Sequence, residues 1–388
     1  MLLPIHPQPL PGELLSSWMV RLSLENGWHL HTFYKVILGH HKPVWNRDID
    51  KYPQTDLIKC LSEATGVTIE KITDLSLQSY YGVLFHSNPH AANLKWILPI
   101  GIYHRRRRRP GQQFCPLCLQ EHHCSYYRKY WRLAFYTTCH KHHCQLLDSC
   151  PSCANPLEFH RLGIGSKHER IPETEIGRCH SCGFDLRQSP TKSIYHLSPE
   201  ITGPYLGTLC RFITGEEQYT DQGIAIPLSY YEGLRYLVKM ILHPYSSGFR
   251  SFYLHRFTNL PQLDIEMGLA YEYQSANTRL HVALMACWLL NNWPKNFDDA
   301  CQLNLLFRSA ISEDIPHLPY WVSHAVQKQL PNKVYILSED ELTAAMSHLE
   351  KQHKSLNASS LADLLGISRD SAAGYLSKCR SLAHEFKK

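Results

Sequence analysis

Cys115-Pro116-Leu117-Cys118, Cys139-His140-Lys141-His142, Cys150-Pro151-Ser152-Cys153 and Cys179-His180-Ser181-Cys182 together decide how the rest of the chain is read. Each pairs two metal-ligating side chains across a gap of two residues. A tetrahedral ion needs four soft or borderline ligands from two short turns, and this gap lets backbone N–H groups turn toward a bound sulfur. Paired in chain order, the four turns make two sites. Cys115, Cys118, Cys139 and His142 form the first, and Cys150, Cys153, Cys179 and Cys182 form the second. Pro116 and Pro151 are expected to pre-set their turns, and Gly183 to let the chain double back after the last ligand. His140, His143 and Cys144 crowd the Cys139 turn, and His142 is preferred on spacing. His122, His123 and Cys124 are further candidates, expected to face solvent.

The expected cofactor is Zn2+, two per chain. With every position filled by protein, neither ion keeps a place for water, so both sites read as structural. A catalytic zinc would need a missing ligand and a carboxylate base beside it. A disulfide framework has no reason to repeat a two-residue gap four times.

With 388 residues, 44% of them apolar and 19% charged, the chain has material for two or three domains and sits among soluble globular proteins. Seven of the fourteen cysteines serve metal when His142 completes the first site. The seven others, Cys60, Cys124, Cys144, Cys210, Cys287, Cys301 and Cys379, suit a reducing cytoplasm. Prolines at 4, 7, 9 and 11 argue against a signal peptide, and the apolar run Val282 to Leu290 is too short to span a bilayer, so no membrane is expected. A net charge of +6 permits nucleic-acid contact without naming it.

The fold class reads as mainly α. A proline-punctuated lead (1–11) precedes helical spacing at Leu14, Trp18 and Leu22, and short helices are expected around Leu30–Ile37, Asp56–Thr65 and Ile69–Leu75. Their style is that of a helix-turn-helix domain over 1–110. A tandem zinc-ribbon or zinc-finger block follows over 111–190, then a helical region over 191–335. There Leu228–Leu242 is amphipathic and Leu280–Leu290 is apolar nearly all round, hence central. Residues 336–388 form a C-terminal helix-turn-helix: Ala362 lets two helices approach, Gly366 makes the turn, and Ile367, Ala372, Tyr375 and Leu376 face inward. Arg369 and Lys378 lie on the exposed face, which either reads DNA or docks a protein.

Two basic stretches are candidates for nucleic-acid binding. Arg105, Arg106, Arg107, Arg108 and Arg109 form a run expected to stay exposed, either as a phosphate patch or as a solvated loop. Tyr126-Tyr127-Arg128-Lys129-Tyr130-Trp131-Arg132 could stack on bases, but packing against the zinc turns is the favoured reading.

Pro9-Leu10-Pro11-Gly12-Glu13-Leu14-Leu15-Ser16-Ser17-Trp18 with Arg21 and Asn26-Gly27, then Phe114 to Cys118, Trp131-Arg132, Cys139, His142 and Leu146, the two later cysteine pairs, and Trp293-Pro294 with Phe297 resemble the TniQ/TnsD family of transposition target-selection proteins. The resemblance implies a bacterial, non-enzymatic adaptor that acts on target DNA in the cytoplasm, at the nucleoid. It would link a DNA-targeting complex to the AAA+ ATPase TnsC and so to the transposase. Chain length favours the members of CRISPR-associated transposons, which sit as head-to-tail homodimers on a Cascade complex with its guide RNA. In those members the C-terminal helices resemble a docking surface. The alternative is a direct sequence-specific DNA binder, either a fixed attachment-site selector or a transcription regulator. A zinc-supported nuclease would need a further metal cluster that the sequence does not offer, and no phosphate-loop signature is present.

Overall fold

Leu15, Trp18, Met19 and Leu22 recur every three to four residues and line one face of helix α1 (Leu15–Glu25), which is buried from Leu15 to Ser23. The computed structural model describes residues 2–39, 44–86, 94–104, 106–121, 124–162, 175–214, 218–220, 223–225, 227–303, 305–306, 318–330, 337–367, 369 and 371–377. The chain divides into two units, Met1–Leu330 and Pro331–Lys388, each with its own apolar core. Helices dominate both.

In the larger unit α1 is followed by α2 (Leu30–Leu38), α3 (Thr55–Thr65) and α4 (Ile69–Asp74). Gly66 ends α3 in the left-handed region at φ +70, where its N–H reaches the Ser62 carbonyl, and Thr68 caps α4 through the Lys71 N–H. A two-stranded antiparallel hairpin, β1 (Ile102–Tyr103) with β2 (Arg106–Arg107), then leads into the cysteine-rich region, which opens with the short α5 (Pro116–Gln120).

The second half of the unit is built around one helix. After α6 (Pro199–Thr214), the hairpin β3 (Gln218–Thr220) and β4 (Gly223–Ala225), α7 (Pro227–Leu242) and α8 (Ser247–Phe257), the chain enters α9 (Ala276–Leu290). Helix α9 is buried without a break from Thr278 to Leu289 and packs against both α6 and α7. Each fully enclosed Leu, Val or Met there stabilises the fold by about 1.5–3 kcal/mol. Helices α10 (Lys295–Gln302) and α11 (Tyr320–Gln329) close the unit, and Trp321 of α11 packs on Tyr230 and Trp293. Among the described residues one apolar cluster joins Leu3, the cysteine-rich stretch and Val326.

The smaller unit holds α12 (Glu339–Lys351) and α13 (Ala358–Leu365), followed by helical residues 371–377. Ser338 and Glu341 form a reciprocal capping box on α12, and Asn357 caps α13. Gly366 ends α13 at φ +66. Ala372 and Leu376 join Leu361 and Ala362 in the core, and the Tyr375 hydroxyl accepts from the Leu337 N–H at 3.0 Å. Arg369 is exposed, and Lys378 lies outside the described residues. Among the described residues no helix is long and apolar enough to cross a membrane.

Candidate metal centres

The eight expected ligands gather into two tetrads in which all four ligand atoms lie within 4.8 Å of one another. In the first, His142 Nδ1 stands 3.5 Å from Cys115 Sγ, 3.3 Å from Cys118 Sγ and 3.5 Å from Cys139 Sγ, and the Cys118 and Cys139 sulfurs are 3.5 Å apart. In the second, Cys150 to Cys182 and Cys153 to Cys179 are each 3.7 Å. A tetrahedron with Zn–S bonds of about 2.3 Å has sulfur edges of about 3.8 Å, so both sets are sized for a metal ion with zinc-like bonds. Their donor chemistry fits one as well.

Three of the four turns are the same structure. Thr138 pairs with Gln145, Ser149 with Pro156 and Arg178 with Asp185, so each turn is pinched at its base. Inside, the N–H of the first ligand donates across the turn: Cys139 to Cys144 at 2.8 Å, Cys150 to Asn155 at 3.0 Å and Cys179 to Phe184 at 2.8 Å. The residue after the second ligand turns left-handed to close the loop: His143 at φ 49, Ala154 at φ 57 and Gly183 at φ 75. Only Gly183 announces that conformation in the sequence.

The Cys115 turn differs. Cys115 is the N-cap of α5, Pro116 opens the helix at its first position, and the Leu119 N–H reaches the Cys115 carbonyl at 3.1 Å. Pro116 therefore starts a helix rather than pre-setting a knuckle like that of Pro151.

Partners beyond the ligands orient them. His142 Nε2 lies 3.0 Å from Glu121 Oε1, which leaves Nδ1, facing the three sulfurs, as the nitrogen that would coordinate an ion, and Glu121 is shared with Lys141 and Arg128. Burial works to raise the Cys153 thiol, but hydrogen bonds from Asn155 and from its cysteine neighbours bring it down to about 6, toward the thiolate that a metal needs. Of the competing ligands, His140 Nδ1 meets the Tyr136 hydroxyl at 2.5 Å, and His143 stacks on Tyr195. Cys124 sits 3.9 Å from an Arg21 nitrogen, half-buried rather than facing solvent. Cys144 is buried 3.5 Å from Cys115 Sγ, beside the tetrad, while His122 and His123 lie outside the described residues.

The aromatic and basic stretch between the first ligands packs inward. Trp131 and Tyr127 are fully enclosed, and Tyr127 stacks on Phe159 at 4.4 Å. Its arginines are buried too, each facing an acid. Arg132 reaches Asp48 at 2.7 Å and Asp50 at 3.3 Å, and Asp50 also accepts from the Ser16 N–H and hydroxyl. On the other flank Arg21 forks onto Glu13 with two bonds of 2.8 Å, Ser17 donates to Glu13, and the Tyr127 N–H donates to Ser17. Glu13, Ser17, Arg21 and Arg132 thus clamp the proline-led N-terminus onto the cysteine-rich stretch. Asp48, Asp50 and Glu121 carry no local signal in the sequence, since their partners lie far along the chain or within an unpatterned loop.

The arginine run is split. Arg107, expected to be exposed, is buried: its N–H donates to Glu158, its guanidinium to the Leu157 carbonyl at 3.2 Å, and it lies over the Phe159 ring. One carbonyl and a ring hold the enclosed guanidinium, and burial lowers its pKa. Arg106, Arg108 and Arg109 are exposed, and Arg105 lies outside the described residues.

Residues 4–146 match the model of the TniQ family, a span that takes in the N-terminal clamp and the whole first tetrad. No curated protein matches the chain. With that match laid over the Glu13–Arg21 clamp and the Cys115 tetrad, residues 4–146 carry a TniQ domain, which supports a TniQ/TnsD-family transposition protein.

Proposed function

We propose that the chain is a non-enzymatic target-selection adaptor for transposition, joining a DNA-targeting complex, of the RNA-guided Cascade type, to the AAA+ regulator TnsC and through it to the transposase. The observation that carries this reading is the TniQ match over residues 4–146, which hold the complete first tetrad, with the second tetrad following directly after. Cys115, Cys118, Cys139 and His142, and Cys150, Cys153, Cys179 and Cys182, each supply a full tetrahedral set, which supports two structural Zn2+ ions that brace a binding surface. When bound, the ions cross-link turns that are distant in the chain, and the cysteine-rich region builds its core around them.

The charge of the smaller unit favours docking over base reading. Residues 331–388 carry eight basic and seven acidic side chains, and α12 begins Glu339-Asp340-Glu341. A duplex-binding helix pair needs a clear positive excess to displace counterions. Arg369 and Lys378 are accordingly proposed as part of a protein-docking face, with the adaptor working as a homodimer.

The test is co-purification. A tagged chain expressed with the CRISPR effector genes of its own neighbourhood should elute with the guide-RNA complex and should retain TnsC. A chain that stays alone but protects one duplex sequence against competitor DNA would instead make it a fixed-site selector.

A further inference from the structure

Burial of Arg107 turns its neighbours outward. Alternate residues of a strand face opposite sides, so anchoring Arg107 on Leu157 and Phe159 exposes Arg106 and Arg108. Two exposed guanidiniums of this run are held by rings rather than acids. Arg108 lies 3.8 Å from the centre of the Tyr103 ring and Arg109 lies 4.5 Å from that of Tyr273. The stem of Arg109 crosses Gly101, where φ is +55 and an added Cβ would stand 3.1 Å from Arg109 Cγ, so a larger residue would strain the backbone and push the stem aside.

Among the described residues Arg47, Arg106, Arg108 and Arg109 have no carboxylate oxygen within 4.0 Å, whereas Arg21, Arg132, Arg235 and Arg279 all do. A ring attracts a cation through its quadrupole and leaves the guanidinium N–H donors unused. Two cavities flank these residues, of about 490 and about 710 Å³, and Arg109 and Tyr273 line both. Arg47 lines the smaller, Arg108 and Tyr103 the larger. Most acids in their walls are already neutralised: Asp48 by Arg132, Asp148 by Arg279 and Glu272 by Arg235, which leaves Glu266.

We infer that this cleft binds a nucleic-acid backbone, with Arg47, Arg108 and Arg109 on successive phosphodiester groups and Arg107 serving only to aim the hairpin. Three cations spread over two adjoining cavities, two of them held by rings, suit a repeated anion better than a single one, and the planar guanidinium matches phosphate geometry. The inference rests on the chain working beside nucleic acid in transposition, but its test uses the chain alone. A failed co-purification with the targeting complex therefore leaves it standing, and its own failure leaves the adaptor reading standing.

The experiment is fluorescence anisotropy of the full, zinc-loaded chain with short labelled duplex DNA, single-stranded DNA and single-stranded RNA, between about 50 and about 200 mM salt. Exchanging both Arg108 and Arg109 for Ala should weaken binding at least about tenfold and lower the logarithmic salt slope by roughly 2, and Arg47→Ala should lower it by roughly 1. Circular dichroism and metal content should not change. Tighter binding of the duplex makes target DNA the occupant, and tighter binding of RNA makes it a guide strand; either supports the site. Wild-type affinity and slope in the double variant with all three probes would overturn it, as would capture of a labelled polyglutamate chain in place of the nucleic acids.

Discussion

Arg132 Nη2 stands 2.7 Å from Asp48 Oδ2 with the arginine side chain wholly enclosed, and this contact ties the stretch between the first metal ligands to the N-terminal helices. Asp50, at 3.3 Å, and the Leu98 carbonyl, at 3.0 Å, complete the cage. Burial favours a neutral Arg132, but the two carboxylates outweigh it and raise its pKa. Removing the guanidinium would leave the enclosed Asp50 and the half-buried Asp48 without the cation that touches both.

Arg132→Met is therefore expected to destabilise the fold by about 3–5 kcal/mol, and adding Asp50→Asn should recover part of that loss. Chemical denaturation of the two variants checks this. An unchanged midpoint for Arg132→Met would refute the buried-pair account.

The metal sites predict a stoichiometry and a ranking. Well-folded chain should contain two zinc ions, and Cys118→Ser or Cys182→Ser should give metal-poor, insoluble protein, since structural zinc contributes about 10–16 kcal/mol of folding energy. Cys144→Ser should keep both ions, because His142 rather than Cys144 closes the first tetrad. Elemental analysis decides: loss of one ion from Cys144→Ser would transfer the ligand role to that thiol.

Glu121 acts on the first site only through His142. Glu121→Gln should leave both ions bound at saturation yet weaken the first by about 10–100-fold, read by competition with a chromophoric chelator. Equal affinities before and after would show that Glu121 does not orient the ring.

His281 sets a pH dependence. It is enclosed in α9, and burial, with Lys192 and His196 nearby, lowers its pKa to about 4. The unfolded chain protonates the same ring near its ordinary value of about 6.5 and so binds more protons between the two values. Stability is then complete above about pH 6.5 and falls as pH drops toward about 4, with a loss of roughly 2 kcal/mol at pH 5. His281→Leu should remove this part of the slope. The check is the difference between wild type and variant at pH 7 and pH 5, which cancels the metal ligands and other titrating groups.

Gly233 lies where α7 meets α11. A Cβ there would stand 2.2 Å from Trp321 Cζ2 and 2.8 Å from Val322 Cγ2. Alanine gains up to about 1 kcal/mol in helix propensity, but the overlap costs about 1–3 kcal/mol, so Gly233→Ala should lower the melting temperature. A rise would mean that α11 is free to shift.

What the sequence determined by itself is the set of features whose causes are local. The cysteine and histidine spacings name both tetrads because all the geometry of a knuckle lies within one turn. The periodicity around Trp18 marks α1 for the same reason, and the unbroken apolar run from Val282 to Leu290 marks α9 as central. The tertiary structure alone decided which charges are buried. Arg107 and Arg108 are neighbours of one residue type, yet Phe159 and Leu157 enclose the first while Tyr103 holds the second at the surface. Asp48 and Arg132 are likewise separated by 84 residues. The free energy of a buried charge depends on the partner that replaces its water, and no local pattern records where in the chain that partner lies.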